Sequence, residues 1–134
     1  MAEPENLPYI RVQLCLKKKD EVSDEFFHNY WKGNHVKLAL ENKNFVDKVI
    51  RYNQFHTSPK MKEAAKEFKI PVPEYDGIAE VWVKDIETWM SIVTDPEFVA
   101  AIAPDEDHFI KAPIDIMLGY DNTVLGEAVK VKTT

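Results

Sequence analysis

Residues 9–17, YIRVQLCLK, alternate apolar and other side chains along almost their whole length. One side of an extended chain then carries only aliphatic residues: Ile10, Val12, Leu14 and Leu16. This period of two is typical of a strand with one buried face. A β-strand that belongs to a larger sheet is therefore predicted near the start of the chain.

A helix is predicted directly after this strand. Ser23 can cap its first turn, and an acidic pair follows it, where the positive end of the helix dipole lies. Four aromatic residues then recur at helical spacing: Phe26, Phe27, Tyr30 and Trp31. Gly33 is predicted to end this helix, and Asn34 to cap a second helix that begins at His35.

The rest of the chain completes the pattern of an α+β fold. Three more strands are predicted from their residue patterns: 46–57, 78–83 and 114–120. A short amphipathic helix is expected after Pro59, and a longer helical pattern begins at Ile86 and stops at Pro104. The helix after the second strand looks like an insertion, so the order favours a ferredoxin-like βαββαβ unit over a parallel sheet.

Length and composition limit the classes of protein and partner. A chain of 134 residues with 45% hydrophobic content is expected to form a single domain over 1–134, with about 1–7 and 126–134 as candidates for disorder. A net charge of −6 argues against a nucleic-acid partner, and no apolar run is long enough for a membrane partner. The single cysteine, Cys15, permits no internal disulfide and fits the cytoplasm.

His35 is the first candidate for a chemical role. At the predicted start of a helix its imidazole would stay neutral, since the helix dipole disfavours a cation there, and it could act as a base. The alternative is a core or capping histidine whose ring is satisfied by a backbone carbonyl.

Two further histidines are candidates for acid–base chemistry. His56 shares a strand face with Tyr52 and Gln54, a combination suited to a hydroxylated aromatic ring. The alternative is that His56 ends its strand in solvent. His108 adjoins three carboxylates in 104–109, PDEDHF, but such acidic loops are usually solvated. His28 is expected to be exposed. The spacings for a metal site and the glycine loops for a nucleotide are missing from the sequence, so neither metal nor cofactor is expected.

Three segments in this order resemble the EthD family: 27–35, FHNYWKGNH; 75–82, YDGIAEVW; and 104–109, PDEDHF. The resemblance implies a ferredoxin-like protomer that dimerises through its sheet into a dimeric α+β barrel. It also implies a cavity between sheet and helices and no bound cofactor. Lys111 stands where the family often has an acidic residue, so the resemblance supports no carboxylate function there.

The family motifs imply roles for individual residues. Tyr30, Trp31 and His35 match the Tyr-Trp…His motif, which makes His35 the main acid–base candidate and Trp31 a cavity wall. The acidic motif matches at Asp105, Glu106 and Phe109. Together with the residue patterns this predicts a catalytic set of His35, His56 and His108. The predicted substrate-binding set is Trp31, Tyr30, Phe27, Tyr52, Gln54 and Trp82.

The resemblance extends to lyases of fungal polyketide pathways. It implies a cofactor-free decarboxylase or dehydratase that acts on an aromatic, anthrone-type intermediate in secondary metabolism, because either reaction needs only positioned acids and bases. Two alternatives stay open. One is cofactor-independent oxygenation of an anthrone-type compound. The other is a non-catalytic protein that binds small molecules or responds to stress.

A homodimer is predicted because helices cover only one face of a ferredoxin-like sheet, while large side chains such as Phe55 and Trp82 occur on the other. Face-to-face association would bury that side, and obligate interfaces of this type bury roughly 2,000 Å² or more. Analytical ultracentrifugation at micromolar concentration should show a dimer. A stable, folded monomer would contradict the prediction.

Overall fold

The computed structural model describes residues 3–131, and the predicted flexibility of the termini falls partly on 1–2 and 132–134, outside the described residues. The regular elements are β1 (Ile10–Leu16), α1 (Asp24–Tyr30), a π-helical turn (Trp31–His35), α2 (Val36–Glu41), α3 (Lys43–Lys48), β2 (Val49–His56), α4 (Pro59–Glu67), β3 (Gly77–Val83), α5 (Ile86–Val93), α6 (Pro96–Glu106) and β4 (Asp115–Gly119). Among the described residues, no helix has the length and apolarity needed to cross a membrane.

The four strands form one antiparallel sheet in the order β2-β3-β1-β4. Helices join β1 to β2 and β3 to β4, and in each case the second strand is an edge strand that does not lie beside the first in the sheet, as in two interleaved βαβ units. The predicted α+β, ferredoxin-like fold is confirmed. The short helix α4 lies between β2 and β3, as expected for an insertion.

Strand register decides which side chains face the helices. Val12 pairs with Val81 and Leu14 with Ala79, and both valines are almost completely buried in the main core. A second core cluster joins β1 and β3 to the helical segment that carries the aromatic residues of 26–31, called the aromatic helix below. Its buried members are Leu16, Phe27, Trp31, Ala79, Phe109 and Ile110. The helix-facing side of the sheet is therefore the hydrophobic one.

The opposite face of the sheet carries a polar network around Trp82. Arg11 forms an ion pair of 2.8 Å with Glu80, and the guanidinium groups of Arg11 and Arg51 lie 5.5 and 5.0 Å from the Trp82 ring. The indole nitrogen of Trp82 donates to Asp121 at 2.8 Å. Trp82 is thereby buried, at 5% exposure, within a single chain.

Two boundaries near α3 and α6 differ from the sequence-based expectation. Strand two begins at residue 49 rather than 46, because Asn42 caps α3 by accepting a hydrogen bond of 2.8 Å from the backbone N–H of Phe45. The helix expected to stop at Pro104 continues to Glu106. Pro104 removes a backbone donor and crowds the preceding turn, but Asp105 beyond it is held in place by side-chain hydrogen bonds from other helices.

The predicted break at Gly33 is wrong. The chain stays helical from α1 through the π-helical turn into α2, and Gly33 is not among the residues with positive φ. His35 therefore lies inside a helix rather than at a helix N-terminus. The helix dipole cannot be the reason for a neutral His35.

Gly77 permits a close approach between β3 and the aromatic helix. A Cβ atom there would collide with the ring of Trp31, which is 1% exposed. Gly33, by contrast, has open space around it.

We expect Gly77→Ala to lower the free energy of unfolding by about 1–3 kcal/mol, because the buried indole must shift. Gly33→Ala is the control and should leave stability unchanged or raise it by up to about 1 kcal/mol, since alanine is favoured over glycine inside helices. Urea unfolding of both variants measures the difference. Equal stability of the two variants would contradict the assignment of Gly77 as a packing position.

Candidate active site

A cavity of about 310 Å³ lies between the helix-facing side of the sheet and the helices. Its lining is mostly apolar, and five large aromatic side chains contribute to it: Trp31, Phe45, Tyr52, Trp89 and Phe98. Three side chains in the lining carry titratable groups: His35, Tyr52 and Glu106. Lysine and arginine are absent from the lining within the described part of the chain.

His35 is paired with a buried carboxylate. Its Nδ1 lies 2.8 Å from Oδ2 of Asp105, which is only 8% exposed, and the Tyr30 hydroxyl donates to Oδ1 of Asp105 at 2.6 Å. With Nδ1–H donating to the carboxylate, neutral His35 has its lone pair on Nε2. This arrangement orients the ring and supplies a base at the cavity wall.

The π-helical turn explains how two residues of one helix reach Asp105 together. Tyr30 and His35 are five positions apart, and an α-helix would place them about 140° apart around its axis. A turn with i→i+5 hydrogen bonds brings such residues toward the same side. The turn at Trp31–His35 thus allows both side chains to bind one carboxylate.

The environment sets the protonation of this group. Burial lowers the pKa of His35, and the hydrogen bond and charge of Asp105 oppose that effect only in part. The hydrogen bond to Asp105, with burial and the carboxylate's charge, raises the pKa of Tyr30 to about 12. Near neutral pH the imidazole is therefore neutral, and Tyr30 remains a hydrogen-bond donor.

Glu106 is the second titratable group in the cavity. Burial, together with the negative charges of Asp107 and Asp105, raises the pKa of Glu106 to about 7. A substantial fraction of this carboxyl group is then protonated near neutral pH. The cavity wall accordingly carries a neutral base and a weak acid at once.

The structure brings only some of the sequence-predicted residues to the cavity. Trp31, His35 and Tyr52 line it, and Gln54 donates to the Tyr52 hydroxyl from the same strand at 3.2 Å. Tyr30 supports Asp105 from outside the lining. Phe27 is fully buried, with its ring centroid 5.7 Å from that of Trp31 and 5.6 Å from that of Phe109.

Other predicted residues lie elsewhere. His56 is outside the lining and binds His28, with 2.7 Å between the two Nδ1 atoms, so His28 is half-buried rather than exposed as expected. His108 is exposed, and its ring packs 5.8 Å from that of Tyr30. Trp82 lies on the far face of the sheet.

Within residues 3–131, no cluster of three or more histidine, cysteine or acidic side chains could hold a metal ion.

Sequence reasoning matched Glu106 to a family motif but did not place it at the site. A signal existed: Phe98, Ile102 and Glu106 recur at four-residue spacing, which puts the carboxyl on the apolar side of α6. Ending the helix at Pro104 hid this relation. The aromatic lining from Trp89 and Phe98 could not be distinguished from ordinary core by periodicity alone.

Two curated relatives from fungi resemble the chain. One is a putative oxygenase of Aspergillus terreus, 23% identical over 131 residues that cover 93% of this chain and 81% of the relative. The other is the dehydratase CTB10 of Cercospora beticola, 29% identical over 100 residues that cover 72% of this chain and 76% of the relative.

Solved structures share the fold at low sequence identity. A hydroxynitrile lyase from Passiflora edulis has a TM-score of 0.59 at 9% identity, covering 90% of this chain and 100% of that one. A dimeric protein of unknown function from Bacteroides fragilis has a TM-score of 0.54 at 11% identity, covering 83% and 96%. An EthD family protein from Bacillus halodurans has a TM-score of 0.55 at 14% identity, covering 85% of this chain and 98% of that one.

The family assignment rests on the sequence itself. The model of the EthD domain matches residues 19–113, a span that includes the aromatic helix and the acidic end of α6. Both residues of the hydrogen-bonded pair His35–Asp105 therefore lie inside the matched region. The chain belongs to the EthD family.

Proposed function

We propose that this protein is a cofactor-free lyase that removes water from a fused-ring β-hydroxy ketone of the aromatic polyketide type. One observation carries the proposal: a carboxylate-bound histidine, His35, and a titratable carboxyl, Glu106, line one apolar cavity. Elimination of water needs one base for the α-proton and one acid for the departing hydroxyl. The relative named dehydratase supports the same reaction class.

In the proposed reaction, Nε2 of His35 removes the proton α to the ketone. The electrons of that C–H bond form an enolate, which then expels the β-hydroxyl as a carbon–carbon double bond forms. Glu106 gives its proton to the departing hydroxyl, so water is released. The imidazolium is stabilised by Asp105, and a proton passed from His35 to Glu106 restores the starting state.

Cavity size suggests the dimensions of the substrate. An engineered apolar cavity of about 150 Å³ in another protein holds benzene. The cavity here is about 310 Å³, roughly twice that volume. A compound of two or three fused rings matches this space and the aromatic lining.

Dehydration is favoured over decarboxylation by the charges at the site. A carboxylate substrate would be desolvated in a cavity that offers no lysine or arginine among its described lining residues. Asp105 lies directly behind His35 and adds a negative charge. An uncharged ketone avoids both costs.

Oxygenation is the second candidate, because one relative is named a putative oxygenase. His35 could deprotonate an anthrone, and the resulting carbanion could itself reduce O₂ without a cofactor. Oxygen consumption with anthrone would identify this activity. Tight ligand binding with no turnover in either assay would indicate the non-catalytic alternative.

Assembly as a homodimer of single-domain subunits is part of the proposal. Met117 and Leu118 on β4 are 61% and 56% exposed, and β4 is an edge strand of the described sheet. Unpaired edges with apolar side chains favour association. The dimeric solved structure from Bacteroides fragilis, which shares the fold, supports this arrangement.

A direct test uses 3-hydroxy-1-tetralone, a two-ring β-hydroxy ketone that becomes fluorescent 1-naphthol after loss of water. We expect the wild-type protein to accelerate naphthol formation over buffer, with no O₂ consumed. His35→Gln should lower the rate by about 10²- to 10⁴-fold, as expected for loss of a general base. His108→Gln is the control and should match wild type, since His108 is exposed. A wild-type rate in His35→Gln would overturn the assignment.

The pH dependence of kcat/KM should be bell-shaped. Activity requires neutral His35, whose pKa is lowered by burial, so it is lost as pH falls through that value. It also requires protonated Glu106, whose pKa is raised to about 7 by burial, so activity declines as pH rises above about 7.

Glu106→Gln should lose the alkaline limb of this profile and reduce the rate by about 10²-fold or more, because an amide cannot protonate a leaving group. Glu97→Gln, an exposed position on the same helix, serves as the matched control. If Glu106→Gln retains the alkaline limb, another group provides the acid.

A further inference from the structure

Tyr52, Gln54 and His56 lie in a row on the helix-facing side of β2. Nε2 of Gln54 donates to the Tyr52 hydroxyl oxygen at 3.2 Å and to the backbone carbonyl of Trp31 at 3.2 Å. Both N–H groups of the amide are therefore used. The amide joins the cavity lining to the π-helical turn.

The orientation of the Gln54 amide is determined by its partners. The carbonyl of Trp31 can only accept, which fixes the NH₂ end. The other end, Oε1, lies 2.8 Å from Nε2 of His56, which must then carry a proton. Nδ1 of this neutral His56 accepts from Nδ1–H of His28 at 2.7 Å. The histidine pair thus stabilises one amide orientation.

This orientation controls the Tyr52 hydroxyl. The N–H of Gln54 occupies a lone pair of the phenol oxygen, so the phenol's own proton points elsewhere. Within residues 3–131, no side chain or backbone group accepts that proton, and Tyr52 lines the cavity. Burial raises the pKa of Tyr52, although hydrogen bonds from Gln54 and Trp31 oppose it, so the proton is retained.

We propose that Tyr52 donates a hydrogen bond to the ketone oxygen of a neutral fused-ring ligand, and that Gln54 and His56 are positioning residues that direct this donor. The ligand class rests on the proposed function. A hydrogen bond from Tyr52 to the ketone oxygen would become stronger as negative charge develops on that oxygen in the enolate. The histidine pair at the end of β2 then acts through Gln54 rather than on the substrate.

The experiment uses 2-acetonaphthone, a neutral two-ring ketone with no group to eliminate. Infrared difference spectra of the ¹²C=O and ¹³C=O forms report hydrogen bonding to the carbonyl of the bound probe. In wild type we expect the stretch at lower frequency than in an aprotic solvent. Tyr52→Phe should abolish this shift and weaken binding about 5-fold, as expected for one neutral hydrogen bond.

Gln54→Glu tests the positioning role. A carboxylate of the same size accepts rather than donates, so it should attract the Tyr52 proton and abolish the carbonyl shift although Tyr52 is still present. Adding Gln54→Glu to Tyr52→Phe should cause no further loss of the shift. Urea unfolding checks that each variant is folded. If Gln54→Glu is not folded, Gln54→Met is used in its place. Tyr75→Phe, at a tyrosine whose hydroxyl binds Asp115 outside the cavity, is the control.

Each outcome bears on the proposal. An unchanged carbonyl stretch in Tyr52→Phe, or no binding of the probe to wild type, would overturn the donor role. An unchanged stretch in folded Gln54→Glu, or in Gln54→Met where that variant replaces it, would overturn the positioning role. If the shifts follow expectation but the tetralone is not dehydrated, the binding inference stands and the proposed reaction fails.

Discussion

The burial of Asp105 is the constraint on which the rest of the structure depends. A carboxylate taken out of water is destabilising unless donors satisfy it, and here the donors are the Tyr30 hydroxyl and the His35 ring, 75 and 70 positions away in sequence. These two bonds tie α6 to the aromatic helix. The cavity lies between them and the sheet. The hydrogen bonds to Asp105 therefore hold the helices together and also orient His35 at the cavity.

The π-helical turn is the local feature that makes this interaction possible. A regular α-helix would direct Tyr30 and His35 to different sides, and only one of them could reach Asp105. The wider turn aligns both residues while Trp31, between them, stays buried against Gly77. Gly33 lies within the turn, where open space surrounds it. The residue that resembles a helix stop in the sequence is thus part of the continuous helix that carries His35.

Local patterns were sufficient for most of the fold. Alternation identified β1 and β4, and Ser23 capped the predicted helix, because these signals depend on neighbours in sequence. Glycine is an ambiguous signal, since it ends a helix only where φ is positive, and Gly33 has no such φ. His35, Trp31 and Tyr52 were found because histidines and aromatic residues stand out. The pairing of His35 with Asp105 and the place of Glu106 in the lining required the packing of α6, which periodicity does not report.

The hydrogen-bond partners of Asp105 also determine which charged groups lie at the cavity wall. Its partners are a phenol and a neutral imidazole rather than a lysine or arginine, so residues 3–131 place no permanent cation at the wall to bind an anionic substrate. When His35 accepts a proton, a cation forms 2.8 Å from a carboxylate that is already oriented. In the proposed reaction, that ion pair would exist only after proton transfer, so its attraction would lower the barrier without strengthening substrate binding. In the proposed reaction, the negative charge of Asp105 would therefore stabilise the charged intermediate more than the bound neutral substrate.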